Sequence, residues 1–104
     1  MDPKSVYFSR PWLKFYEPGV PAEVDVPLKS VPQAFDEATA RYGAKAALVF
    51  YGREISFREL REHTDSLAGA LAGLGLKKGD RVALYLLNSP QFVIAYFAVL
   101  KLGC

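Results

Sequence analysis

Four glycines, at positions 69, 73, 75 and 79, are the first residues whose type and spacing suggest chemistry. Glycine-rich loops can wrap backbone amides around a phosphate. The dinucleotide-binding pattern needs Gly-x-Gly-x-x-Gly directly after a strand and opening a helix. Here the interval from Gly75 to Gly79 is one residue too long. The glycines also close a helical stretch and precede a strand-like one, which is the reverse polarity. Helix N-termini attract phosphate, whereas C-termini repel it. The Walker pattern is absent, because no glycine is followed by lysine and then serine or threonine. These glycines therefore read as packing and capping positions. Gly69 and Gly73 form a small-xxx-small pair that permits close approach of a neighbour, with a dimer seam as the alternative.

The other reactive side chains are scattered. His63, the single histidine, falls among charged residues and has no second histidine or cysteine nearby to complete a metal site. Asp36-Glu37 and the set Glu59, Glu62 and Asp65 are placed on solvent faces, and nothing puts them in the pocket with a displaced pKa that general acid or base work needs. Ser89 precedes Pro90 and reads as a helix cap, because neither a base nor an orienting acid accompanies it. Lys77-Lys78 lies beside Gly79-Asp80 in a solvated turn. Cys104 is the lone thiol and cannot form an internal disulfide. No residue is assigned a catalytic, cofactor-binding or metal-ligating role.

Bulk composition narrows the class. The 104 residues carry a net charge of +2, from 13 basic and 11 acidic residues, which gives no case for nucleic acid. Hydrophobic residues make up 51% and aromatics 13%, enough for a core and too many for a disordered chain. Met1–Arg10 has no apolar signal region. The longest apolar runs, Val82–Leu87 and Phe92–Leu100, fall short of the ~20 residues that cross a bilayer. A cytoplasmic location is expected.

The elements that must position any site follow from periodicity. Residues 1–29 contain Pro3, Pro11, Pro18, Pro21 and Pro27 together with Tyr7, Phe8, Trp12, Leu13, Phe15 and Tyr16. Dense proline forbids a long helix, and so many large apolar groups are foreign to a free tail. An extended arm lying on a folded surface is expected. Residues 30–104 should then form a partial α/β unit. Ser30 and Gln33 suggest a capping box for a helix over 31–42, with Gly43 as a left-handed cap. Ala46–Tyr51 and Glu54–Ser56 suggest a hairpin turning at Gly52-Arg53 in a type II′ turn. Ser56 and Glu59 suggest a second capping box. It opens a long helix with Leu60, Thr64, Leu67, Leu71 and Leu74 on its buried stripe and Gly75 at its end. Residues 81–87 are apolar on both faces, as in a helix-covered parallel sheet. Ser89 and Pro90 then open a helix that is apolar almost all round. Such a strand and crossover helix normally return to a neighbouring parallel strand. The sequence ends at Cys104, where that strand is due, so an incomplete unit is expected.

Taken together, the segments "RPWLKFYEPGVPAEVDVP" and "SVPQAFDEATARYGAKAALVFYGREISFRELREHTDSLAGALAGLGLKKGDRVALYLLNSPQFVIAYFAVLKLG" resemble the start of AMP-forming long-chain fatty-acid–CoA ligases, from about Arg10 to Gly103. These belong to the adenylate-forming superfamily. "PWLKFYEPGVPAEVD" resembles the long-chain subgroup, and "GDRVALYLLNSPQFVIAYFAVLKLG" the superfamily at large. The resemblance implies a longer enzyme that uses ATP, Mg2+ and coenzyme A. In it a fatty-acid carboxylate attacks the ATP α-phosphate, and the thiol then displaces AMP. The family's Ser/Thr/Gly-rich loop ending in Pro-Lys-Gly, its magnesium-binding glutamate, its ribose-contacting aspartate and its C-terminal-domain lysine have no matching positions here. The expected role is scaffold, inactive alone. The expected partner is the remainder of the synthetase polypeptide or a homologous subunit, with self-association through exposed apolar surface as a further outcome. A module that docks on a full-length synthetase is the alternative.

Overall fold

The structure, a computed structural model, describes residues 5–104; Pro3 and the rest of the first four residues of the expected arm lie outside them. The elements are α1 (Val31–Tyr42), β1 (Ala46–Phe50), β2 (Arg53–Ser56), α2 (Phe57–Gly73) and α3 (Pro90–Lys101). Each helix starts on a serine whose hydroxyl accepts a backbone N–H three residues on: Ser30 from Gln33, Ser56 from Glu59 and Ser89 from Phe92. Only the Ser56 box is reciprocal, with Ser56 N donating to Glu59 Oε2 at 2.8 Å. That backbone bond, and then the Ser56 hydroxyl, hold the Glu59 carboxyl below its ordinary range. The first box is half made: Ser30 accepts from Gln33 N, but among the described residues no bond returns from Ser30 N to the Gln33 side chain, whose Nε2 donates to Glu37.

The helix ends show why glycine stands where it does. Gly75 has φ +98°, Gly75 N donates to Ala72 O, and Leu76 N donates to Leu71 O. Gly103 has φ +78°, Gly103 N donates to Leu100 O, and Cys104 N donates to Val99 O. Both are Schellman caps, which need a residue free to adopt the left-handed region. Gly43 departs from expectation. It stays right-handed at φ −39°, and its carbonyl accepts from Arg58 N at the start of α2.

Three further expectations are corrected. The hairpin turns on Tyr51 (φ 47°) and Gly52 (φ 80°), between the paired residues Phe50 and Arg53. Positive φ at both central positions makes it type I′, whose twist matches that of the strands. Residues 81–87 form neither helix nor ladder and, among the described residues, no strand pairs with them; the sheet holds only the antiparallel β1 and β2. A ladder needs a neighbour, and an apolar run alone does not supply one. The proline-rich arm also differs from a fully extended segment. Val6–Ser9 and Pro11–Phe15 are 3-10 turns, and Lys29 of the arm pairs with Glu37 on α1.

The core gathers where α1, α2, α3 and the hairpin meet. Phe35, Ile55 and Leu60 are buried there, with Leu48, Val93 and Phe97 packed against them. On α2 the buried positions are Leu60, Thr64 and Ala68; Leu67 and Leu71 are half-buried and Leu74 is exposed. Thr64 is fully buried, and its hydroxyl has no hydrogen-bond partner among the described residues. An unpaired buried hydroxyl carries a desolvation penalty of about 1–3 kcal/mol, whereas an apolar isostere carries none. Thr64→Val will therefore raise the urea midpoint by the equivalent of about 1 kcal/mol, without a change in slope.

Little of the chain is covered. A self-contained monomer of 11.5 kDa exposes about 5,800 Å². This chain exposes 8357 Å². Its radius of gyration is 18.8 Å, against roughly 13 Å for a compact domain of its length.

Candidate functional site

The glycine loop between α2 and the 81–87 segment spends its own donors. Leu74 N bonds Ala70 O, Gly75 N bonds Ala72 O, and Leu76 N bonds Leu71 O. Lys77 N donates to Asp80 Oδ2 at 2.9 Å, Asp80 N to Lys77 O, and Gly79 N to Gly103 O at 3.0 Å. These amides face carbonyls and a carboxylate, so the loop presents oxygen where a phosphate needs N–H groups. Its observed job is mechanical. It seats the C-terminal cap of α3 on the end of α2, so closely that a Cβ on Gly103 would stand 3.0 Å from Lys78 Cγ. Cys104 belongs to the same junction, its thiol 3.6 Å from Lys77 O.

The N-terminus of α2 is occupied in the same way. Phe57 N donates to Lys45 O, Arg58 N to Gly43 O, and Glu59 N to the Ser56 hydroxyl. ATP phosphates fit neither place, because the donors are already engaged.

The expected carboxylates divide. Glu37, Glu62 and His63 are exposed, as is Glu59 apart from its cap. Asp36 is half-buried and, with Asp65, turns to Lys101. Lys101 Nζ lies 2.9 Å from Asp36 Oδ1, contacts Asp65 Oδ1, and sits 5.6 Å from the Phe35 ring centroid. One ammonium thereby joins all three helices. Burial alone would lower the Lys101 pKa; Asp65 and Asp36 outweigh it and raise the group above its ordinary value. Sequence reasoning missed this hub. Only Arg61–Asp65, an (i, i+4) pair at 3.6 Å, is visible in local spacing. No three His, Cys, Asp or Glu residues cluster as metal ligands among the described residues.

What the structure presents outward is unpaired backbone together with apolar side chains. In the 81–87 segment Tyr85 is 100% and Leu87 87% exposed, and Val82 and Leu86 also face solvent. A shallow groove lined by Val31, Phe35, Ala38, Leu48, Val93 and Phe97 runs beside the core. A second groove joins Phe50 of β1 to Asn88 and Pro90. Together these surfaces suit a covering polypeptide with strand-forming backbone.

Comparison with known proteins places this architecture. Residues 35–104 match the family described as AMP-binding enzyme. Long-chain-fatty-acid–CoA ligase of Bacillus subtilis is 39% identical over 94 residues, 90% of this chain. The Yersinia pestis ligase of the same name is 44% identical over 88% of the chain. The chain spans 17% of the length of each. Among solved structures, the Klebsiella oxytoca NpsA N-terminal subdomain in complex with 3-hydroxyanthranilyl-AMSN superposes with a TM-score of 0.71. It is 42% identical over 73% of this chain and 20% of its own. The anthranilate CoA ligase AuaEII superposes at 0.69 with 31% identity, over 76% of this chain and 15% of its own. The helices and hairpin are thus an incomplete α/β part of the adenylate-forming N-terminal subdomain, and the chain belongs to the AMP-binding enzyme family.

Proposed function

We propose that this chain is the opening structural unit of a long-chain fatty-acid–CoA ligase and supplies scaffold, while the groups that react stand on other polypeptide. The observation that carries the reading is the mismatch between close similarity and coverage. The chain is about 40% identical to such ligases over nine-tenths of its length, yet spans 17% of theirs. The unpaired apolar segment 81–87 and the excess exposed surface support it, because both suit a continuing sheet. The same surface suits docking on a complementing polypeptide or self-association. Of the proposed arm, 1–29, the described residues 5–29 act as an arm, and residues 30–104 act as the folded unit. ATP, Mg2+ and coenzyme A would be held elsewhere in the enzyme. The absence of any helix long and apolar enough to cross a membrane among the described residues, and the single cysteine, support a cytoplasmic protein.

Pyrophosphate exchange tests the proposal. The 104-residue chain with ATP and palmitate will give no exchange above a protein-free control. The polypeptide that completes a fatty-acid ligase will co-elute with it in size exclusion. Exchange by the chain alone, or a compact monomer that ignores the complementing polypeptide, would overturn the reading.

A further inference from the structure

We infer that residues 82–88 pair antiparallel with the same segment of a second copy of this chain, closing a weak two-fold dimer, one step beyond the scaffold role proposed above. The backbone creates the demand. None of the N–H groups of residues 82–88 donates to a backbone carbonyl among the described residues. A partner strand would satisfy these groups and cover their side chains at once. The side chains already follow the strand period of two. Val82 is 37% and Leu86 49% exposed, with Leu84 half-buried, against 100% for Tyr85 and 87% for Leu87.

Charge fixes the direction. Residues 82–88 carry none, and Arg81 stands at one end only. Parallel in-register pairing would set Arg81 against Arg81 across a ladder about 4.8 Å wide, where like charges destabilise. Antiparallel pairing centred on Tyr85 sends the two guanidinium groups to opposite ends, roughly 27 Å apart and beyond the screening length of about 8–10 Å. The same centring places Arg81 opposite Ser89, Ala83 opposite Leu87, Leu84 opposite Leu86 and Tyr85 opposite itself. Polar then meets polar, and small meets large. Centring on Leu84 would instead put Arg81 across from Leu87.

One hydrogen bond selects the edge. The Leu87 carbonyl accepts from the Ser89 hydroxyl at 3.1 Å. In a strand that carbonyl shares its edge with residues 83 and 85, so the free edge belongs to 82, 84, 86 and 88. Pairing there makes Leu84 and Leu86 the hydrogen-bonded partners. The two Tyr85 residues become a non-hydrogen-bonded pair with Cα atoms about 4.5 Å apart. The open edge of β1 competes poorly, because its five residues carry a bulge between Ala46 and Leu48. Two seven-residue strands make an interface at the small end of the range, below about 1,200 Å², so the dimer dissociates at a few micromolar.

Sedimentation equilibrium of the 104-residue chain tests the pairing. The mass will be that of the 11.5 kDa monomer at about 2 µM and approach twice that value at about 0.5 mM, for a dissociation constant of about 50 µM. Tyr85→Lys, which sets two ammonium groups face to face at a fully exposed position, will raise that constant at least about tenfold. Leu28→Lys, equally exposed but outside the segment, will leave it unchanged. Thiol trapping reads the register. With the native thiol removed, Tyr85→Cys/Cys104→Ser will form a disulfide-linked dimer on oxidation, since about 4.5 Å lies within the Cα separations a disulfide spans. Arg81→Cys/Cys104→Ser will not. A monomer at every concentration overturns the inference, as does a mass that climbs past the dimer. Equal effects of Tyr85→Lys and Leu28→Lys, or equal trapping at positions 81 and 85, also overturn it. None of these readings involves catalysis or the complementing polypeptide, so failure here leaves the exchange and co-elution results of the ligase reading standing on their own.

Discussion

Phe35→Ala will abolish the cooperative unfolding transition of this chain. The Phe35 ring is stacked on Phe97 with centroids 4.2 Å apart and planes 18° from parallel. It is 6% exposed and touches the Ile55 and Leu60 cluster, so it joins α1 to α2, α3 and the hairpin at one point. Truncating a buried phenylalanine costs about 3–5 kcal/mol. Small domains have only about 5–15 kcal/mol in total, and a chain with this much uncovered surface belongs at the low end. The loss therefore rivals the whole stability. Circular dichroism during a urea titration reads it: the sigmoid of the parent becomes a sloping line. Phe35→Leu keeps most of the apolar volume and should retain a transition at lower urea. Tyr85→Ala, at a fully exposed ring, should leave the midpoint within error. A Phe35→Ala midpoint close to the parent's would show that the stacked pair is not the keystone of the fold.

The contrast between Phe35 and Tyr85 also shows which features the sequence made legible. Local signals succeed wherever the partner lies within a turn of helix. Ser56 with Glu59, Ser89 with Pro90, and Gly75 and Gly103 after their helices each solve a problem of unsatisfied backbone groups, so residue type announces position. The apolar face of α1, on which Phe35 recurs with Val31, Ala34, Ala38 and Tyr42, follows from helical period. Segment 81–87 was legible as extended and apolar, but a strand exists only by pairing, and pairing is not a local property. Tyr51 concealed its left-handed conformation, since β-hairpin geometry imposes it on a residue that does not favour it. Gly43 erred in the other direction. Its carbonyl is recruited by Arg58 N, which keeps it right-handed. The Lys101 hub was hidden because Asp36 and Asp65 come from different helices and meet the ammonium only after packing.

That hub yields the second large effect. Lys101→Ala will destabilise the chain by about 1–2 kcal/mol, less than the 3–5 kcal/mol of a fully buried broken pair, because both carboxylates are about half exposed and partly screened. The loss has two parts: the lysine stem leaves the Phe35 ring, and Asp36 and Asp65 are left without their shared cation. Lys101→Met separates them, since it keeps most of the stem. Adding Asp36→Asn and Asp65→Asn to Lys101→Met removes the uncompensated charge and should restore most of the midpoint. Alkaline pH provides an independent reading. The folded pKa of Lys101 is raised above 10.5, so its contribution is fully present below that value and fades as pH climbs through the higher folded value. The parent's urea midpoint should therefore drop more steeply than that of Lys101→Met as pH rises above about 10.5, since every other group is common to both. Parallel curves would mean that the ammonium contributes no net charge interaction, and that the three helices are held by Phe35, Phe97 and their apolar neighbours alone.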